Sequence, residues 1–301
     1  MSLHYAGELA ALGTACCWTV TSMSFEAAGK RIGSLSLNGI RLAMALAVLS
    51  VWCWIRRGHP VPIDASGHAW GWLSLSGLVG FAIGDLCLFR AFVLIGARLS
   101  MLMMSLVPPI TALAAWALMG EQLTGMEWLG MGLTIAGISW VVLERRKDES
   151  GRPVRAPIKG VLLGFGGAAG QALGLVLSKY GMGDYDAFAS TWIRVLAGLV
   201  SFALLYTAMG WWPKVEAALH HKSGMAYTGL GAFFGPFLGV SLSLVAVQLT
   251  HAGVAATLMA LVPVIILAPA HFIAKEEITL RAVAGAVIAV AGSALLFLTG
   301  S

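Results

Sequence analysis

The chain has 301 residues, of which 58% are hydrophobic and only 11% are charged, whereas an average globular chain carries about 25% charged residues. This composition excludes a disordered chain, a secreted disulfide scaffold and a nucleic-acid-binding domain. The net charge of +5 does not indicate a nucleic-acid partner, because Lys and Arg lie in short segments between apolar runs. The composition therefore predicts a polytopic membrane protein surrounded by a lipid bilayer.

Ten apolar runs follow one another along the chain, and each is close to the roughly 20 residues that a transmembrane helix needs. Strands of a membrane barrel are only about ten residues long and alternate in polarity, so the run lengths favour helices. In chain order, the predicted helices span residues 7–26, 34–55, 69–93, 98–119, 125–144, 158–178, 188–210, 224–248, 252–273 and 279–299. The predicted fold class is an all-α integral membrane protein with ten transmembrane helices.

Two local signals refine the first and fifth helices. Residues 1–7 contain no Lys or Arg, so the first helix lacks the charged region of a cleavable signal peptide and is expected to remain in the protein. Thr124 and Glu127 have the spacing of a capping box. They predict that the fifth helix begins at this point.

The two halves of the chain repeat the same pattern. A shift of 155 residues superimposes a series of glycines, prolines and turn residues: Gly80 on Gly235, Gly84 on Gly239, Pro108 on Pro263, Glu121 on Glu276, Thr124 on Thr279, Gly130 on Gly285 and Gly137 on Gly292. A shift of 153 places Gly7 on Gly160 and Arg41 on Arg194. Matches at nearly one offset across five spans indicate two homologous five-helix units.

The predicted organisation is a first repeat over residues 1–144, a charged linker over 145–157 and a second repeat over 158–301. A unit with five spans begins on one side of the membrane and ends on the other, so the second unit must be inverted relative to the first. Inverted repeats are common in secondary transporters, whose substrate site lies near the membrane midplane between the repeats.

These features resemble the EamA type of the drug/metabolite transporter superfamily. The resemblance is carried by the ten spans, by Trp18 in the first span, by Pro108 and Pro263, and by the turns at 120–124 and 275–279. The second turn begins with lysine where the family more commonly has glycine. The resemblance covers essentially the whole chain. It implies a metabolite permease like the bacterial exporters of amino acids and related compounds, in the bacterial cytoplasmic (inner) membrane.

Charged side chains within the spans are candidates for function, because each is costly in lipid unless it is paired or hydrated. The repeat counterpart of Asp85 is Val240, so the shared fold does not require this charge. Asp85 is either a substrate or proton site or one half of a static salt bridge, for which Arg41 is the natural partner. Arg41 and Arg194 are counterparts of each other, which favours a structural or gating role.

Pro108 and Pro263 interrupt the fourth and ninth helices at equivalent positions. Proline removes a backbone donor and leaves carbonyl groups unpaired, which lipid disfavours unless the site faces protein or a wet cavity. The two prolines are either hinges for alternating access or static kinks that improve packing.

Polar, aromatic and thioether side chains of the repeat-related helices are expected to surround a cavity for organic substrates, with plain packing as the alternative for each. The predicted substrate-binding residues are Trp18, Thr21, Asp85, Ser100, Met101, Met104, Ser105, Gln171, Ser241, Thr257 and Met259. The predicted coupling or gating residues are Asp85, Arg41, Arg194, Pro108 and Pro263. We predict no catalytic residue, metal site or cofactor.

The predicted function is a secondary transporter that exports small metabolites, with neutral or aromatic amino acids as the expected substrates. Uniport and coupling to protons through Asp85 both remain open. An enzyme acting on a lipid-linked substrate is disfavoured because motifs such as His-Glu-x-x-His are absent from the sequence. A channel is disfavoured because the repeats carry few buried charges.

Two indications of the orientation in the membrane disagree. Arg56, Arg57 and Lys179 lie in loops on the side of the termini, and most other Lys and Arg of the loops lie on the opposite side. The positive-inside rule therefore favours external termini. The family resemblance implies cytoplasmic termini.

Overall fold

A computed structural model describes residues 6–119, 124–143, 146–147, 153–154, 156–249 and 258–298. The helices of the first half are α1 (Ala6–Ile32), α2 (Ser34–Arg57), α3 (Gly67–Gly77), α4 (Asp85–Met103), α5 (Val107–Met119) and α6 (Gly125–Val142). Those of the second half are α7 (Ile158–Met182), α8 (Ala187–Met209), α9 (Trp212–Leu219), α10 (Lys222–Ala232), α11 (Val240–Leu249), α12 (Val262–Ile265), α13 (Leu267–Phe272) and α14 (Leu280–Leu298). Two strands in the predicted linker, β1 (Arg146–Lys147) and β2 (Pro153–Val154), pair antiparallel and are the exception to the all-helical prediction.

Within the described residues, six helical stretches are long and apolar enough to cross a membrane. Large apolar side chains on their outer faces remain exposed, among them Ile83, Phe165 and Leu204. A soluble protein rarely exposes so much contiguous apolar surface, whereas the same surface is favourable against lipid tails. The fold is therefore that of a multi-pass helical membrane protein.

The apolar stretch Gly67–Leu113, which runs from α3 into α5, is 47 residues long and folds back on itself at Gly96. As one straight helix it would measure about 70 Å, more than twice the roughly 30 Å hydrocarbon core. Gly96 has a φ of +79°, which breaks the helix between the predicted third and fourth spans. Helix α7 contacts both limbs, since Gly160 packs against Ile95 and Gly164 packs against Met103.

Each half contains a seven-residue π-helical segment at the same place. Leu78–Gly84 joins α3 to α4, and Phe233–Gly239 joins α10 to α11. The shift of 155 residues superimposes these two segments on each other. π-helical turns are rare in proteins, and those that do occur are often found at functional sites. Their presence at the same place in both halves therefore indicates a shared functional role. Asp85 is the first residue after one segment, and Val240 is the first after the other.

The last helices of the two halves, α6 and α14, pack antiparallel. Gly137 packs against the backbone of Gly285, and the Thr134 hydroxyl donates a hydrogen bond to the carbonyl of Ala289 over 3.3 Å. Thr134 and Ala289 are repeat counterparts, so their contact lies at the centre of the pair. Small residues at this interface allow the two backbones to approach closely.

The first helix of each half packs against the third span of the other half. In α7, Gly170 packs against the Cα atom of Gly84. In α1, the indole of Trp18, the counterpart of Gln171, lies against Gly239. These contacts bring residues of both halves to the middle of the bundle.

Candidate functional site

A cavity of about 310 Å³ lies in the middle of the bundle. Its volume is at the lower end of the range for small-molecule sites. Side chains from both halves line it, and aromatic rings form much of the wall: Trp18, Phe25, Phe81, Phe89 and Phe92. A small organic molecule with an apolar part fits such a lining.

The structure brings together most of the residues predicted from the sequence. The following predicted residues line the cavity: Trp18, Thr21, Arg41, Asp85, Met101, Met104, Ser105, Pro108, Gln171, Arg194, Met259 and Pro263. Ser100 and Ser241 are completely buried in helix packing and do not line it. Thr257 lies outside the described residues.

Asp85 is held by two side chains, one at each carboxylate oxygen. Arg41 forms a salt bridge with it through Nη2 and Oδ2, and both side chains are almost completely buried. The Gln171 Nε2 atom donates to Oδ1 over 2.8 Å. Asn38 positions the arginine by accepting a hydrogen bond from Arg41 Nε over 3.2 Å. The partner expected from the order of the spans is therefore the partner observed.

Aromatic rings surround the Arg41 guanidinium. Its central carbon lies 4.4 Å from the ring centroid of Phe89 and 5.8 Å from that of Phe81. The rings of Phe25 and Phe89 are 4.9 Å apart and extend this wall. Cation–π attraction is strongest where water is excluded, so the rings help to hold the buried charge.

Arg194 is the repeat counterpart of Arg41, but its surroundings differ. It is buried and lines the cavity, and its guanidinium carbon lies 4.9 Å from the ring centroid of Phe81. Its Nε atom has no hydrogen-bond partner among the described residues. The difference arises because Val240 stands where the other half has Asp85.

Hydroxyl groups in the wall of the cavity also lack partners. The side-chain oxygens of Thr21, Ser105 and Thr111 are buried without a hydrogen bond to any described residue, and all three residues line the cavity. Buried polar groups are normally hydrogen-bonded. The wall of the cavity therefore contains hydroxyl groups that the described residues leave without a hydrogen bond.

Irregular backbone coincides with the cavity wall. A short 3₁₀ turn, Met104–Leu106, ends two residues before Pro108, and Pro263 is the second residue of α12. Pro236 lies inside the second π-helical segment. All three prolines line the cavity, which agrees with the rule that irregular backbone within a membrane faces protein or a cavity.

Polar contacts join the two halves at opposite ends of the bundle. At one end, Arg98 donates from Nε to a Glu276 carboxylate oxygen over 2.8 Å. At the other end, Arg57 donates to the Tyr185 hydroxyl over 2.9 Å, and this hydroxyl donates to Asp64 over 3.0 Å. Partial burial is the main reason why the pKa of Tyr185 is raised, so its phenol keeps the proton that it donates at neutral pH.

Apart from Trp18, the aromatic residues of the wall were not among the predicted site residues, and neither was Lys179. Phenylalanine in a membrane helix is common as packing or lipid contact, so Phe89 carries no distinguishing local signal. Lys179 was counted as a loop charge, whereas it lies in the last turn of α7 and lines the cavity. Lys179 lies eight residues, about two helical turns, after Gln171. The two side chains are therefore on nearly the same face of the helix, and this spacing could have identified Lys179.

The sequence matches a known protein family, and the fold matches a solved structure. The model of the EamA-like transporter family matches residues 5–143 and again residues 158–298. One solved crystal structure, with 18% sequence identity and a TM-score of 0.62, covers 98% of this chain and 97% of that chain, which shows the fold. No curated protein matches the sequence. Because the family matches span nearly the whole chain, the protein belongs to the EamA-like transporter family of the drug/metabolite transporter superfamily.

Proposed function

We propose that this transporter exports amino acids, neutral or aromatic ones, across the bacterial inner membrane by alternating access. In this proposal it has ten spans in two inverted repeats, residues 1–144 and 158–301, joined by the linker 145–157. The observation that carries the proposal is the cavity lined by both halves, in which a buried ion pair lies beside aromatic side chains. Such a site offers groups for the charged and the apolar parts of an amino acid.

The antiparallel packing of equivalent helices supports the inversion. In addition to α6 and α14, the counterparts α2 and α8 are antiparallel: Tyr206 donates to the Leu35 carbonyl over 2.6 Å, and Trp192 donates to Ser50 over 2.8 Å. Helices related in this way have a twofold axis across the bundle, which is the symmetry of inverted-repeat transporters. The reversal at Gly96 supports counting two spans between α3 and α5.

Alternating access requires that the halves separate at one end while they close at the other. Arg98 is buried and its partner Glu276 is partly exposed, whereas Arg57 and Asp64 at the other end are more exposed. Exposed ion pairs stabilise by about 0–1 kcal/mol, so the Arg57–Tyr185–Asp64 contacts are the set that can break and re-form most readily during a cycle. We assign the hinges to the helix breaks at the prolines of the cavity wall.

We assign the coupling role to Asp85 and Arg41. The carboxylate faces the cavity, and its present partners are Arg41 and Gln171. A proton or the ammonium group of a substrate would compete with Arg41 for the same oxygens. Displacement of Arg41 would then link substrate or proton binding to movement of α2 against α4.

The test is efflux of labelled phenylalanine from proteoliposomes that contain wild type or Asp85→Asn. We expect the substitution to slow efflux by about 10- to 100-fold, the factor that corresponds to losing a charged hydrogen bond. The matched control is Asp184→Asn, which removes an exposed carboxylate from the loop between α7 and α8 that does not line the cavity, and it should transport like wild type. If a folded Asp85→Asn variant transports at the wild-type rate, Asp85 has no coupling role and is only a static salt-bridge partner.

A further inference from the structure

Arg194 is a buried cation that forms no ion pair in the described part of the chain, and Asp85 attracts it only at longer range. The residue is 4% exposed, and its Nε atom is buried without a partner there. None of the ion pairs among the described residues includes it. A guanidinium presents five N–H donors in a fixed planar arrangement. In a cavity wall, such a group is suited to an acceptor that comes from a ligand.

The internal duplication identifies the chemistry of this acceptor. Arg41 and Arg194 are counterparts, and Arg41 is satisfied by the carboxylate of Asp85. The counterpart of Asp85 is Val240, which also lines the cavity. The second half has therefore kept the arginine without the carboxylate. An oxyanion at the cavity side of Val240 would give Arg194 the kind of partner that Arg41 has.

The charge balance of the lining favours the same ligand chemistry. Arg41 and Asp85 neutralise each other. Arg194 and Lys179 are the remaining charged residues of the lining, and both are positive. A cleft with charge of one sign concentrates ligands of the opposite sign, so the cavity favours anions over cations.

We propose that Arg194 binds the carboxylate of the transported solute, and that the solute is an organic carboxylate with an apolar, preferably aromatic, body. An arginine can bind a carboxylate through two parallel hydrogen bonds. Phe81 contacts Arg194 and belongs to the aromatic wall, so an aromatic body attached to this carboxylate would lie against the wall. The inference rests on the proposed transport function, but it does not require an amino group on the solute. It predicts that the carboxylate, and not the ammonium, is the group that a ligand needs.

The test compares three probes with one phenyl ring each: phenylalanine, phenylpropionate, which lacks the amino group, and phenethylamine, which lacks the carboxylate. Binding to the full chain in lipid nanodiscs is measured by calorimetry for wild type, Arg194→Gln, Arg194→Lys and Arg90→Gln. The Arg90 variant is the control, because this arginine is exposed on α4 and does not line the cavity. Thermal unfolding without ligand shows whether each variant is folded.

We expect wild type and Arg90→Gln to bind phenylpropionate at least about tenfold more tightly than phenethylamine, a factor in the range of a charged hydrogen bond. Arg194→Gln should lose this difference while melting no lower than wild type, and Arg194→Lys should restore part of it. Equal binding of the acid and the amine, unchanged acid binding in Arg194→Gln, or no carboxylate binding to wild type would overturn the inference. Binding of phenylpropionate without transport of phenylalanine would support the inference and remove the amino-acid assignment.

Discussion

Replacing Arg41 with glutamine is expected to lower the free energy of unfolding by about 3–5 kcal/mol, the usual cost of breaking a buried ion pair by removing one partner. Asp85 would keep the hydrogen bond from Gln171 and a longer-range attraction to Arg194, but its buried charge would have no cation in direct contact. The measurement is denaturant- or heat-induced unfolding of the purified protein in detergent, followed by tryptophan fluorescence.

The repeat provides a matched control for this prediction. Arg194→Gln makes the same chemical change at the counterpart position, where no ion pair is lost among the described residues. Its stability should equal or exceed that of wild type. The double variant Arg41→Gln with Asp85→Asn should recover much of the loss, because no unpaired charge remains. Equal destabilisation by Arg41→Gln and Arg194→Gln would contradict the assigned difference between the two arginines.

Replacing Gly170 with alanine is expected to destabilise the protein by about 1–3 kcal/mol or more, the typical cost of overpacking, and to impair transport. A Cβ atom at this position would lie 2.4 Å from the Cα atom of Gly84, which is a backbone atom and cannot rotate away. Helix α7 would have to move away from the first π-helical segment. Gln171, the next residue, would then lose its position beside Asp85.

Gly71→Ala is the control for the glycine substitution. Gly71 also lies in a helix, α3, but a Cβ atom there would meet no atom within 4 Å. Because alanine is favoured over glycine in a helix interior by about 1 kcal/mol, this variant should be as stable as wild type or slightly more stable. The measurement is the melting temperature of both variants together with phenylalanine efflux. A Gly170→Ala protein as stable and active as Gly71→Ala would refute the close packing at Gly84.

Much of the fold could be predicted because the signals are local or periodic. The capping box at Thr124 and Glu127 forms as expected, with both reciprocal hydrogen bonds present. The sequence also indicated Arg41 as the natural partner of Asp85 if this carboxylate forms a salt bridge, since sequential spans are adjacent, and the structure shows this pair. Each of these predictions needed only spacing or the internal repeat.

The π-helical segments could not be predicted, because a glycine-rich run such as residues 78–84 also fits an ordinary packed helix. Their effect extends to the site residues that follow. A π-helical turn adds a residue to the turn and rotates later residues around the helix axis. Ser241, the second residue after the second segment, is completely buried and does not line the cavity, whereas its neighbour Val240 does.

Counterflow of phenylalanine is the measurement that tests the transporter account most directly. Proteoliposomes with wild-type protein are loaded with unlabelled phenylalanine and diluted into a trace of labelled phenylalanine. A carrier with one alternating site should accumulate label transiently above the equilibrium level, and unlabelled phenylalanine outside should saturate the uptake. Simple equilibration without this overshoot, at a rate that rises linearly with concentration, would contradict an alternating-access carrier for this amino acid.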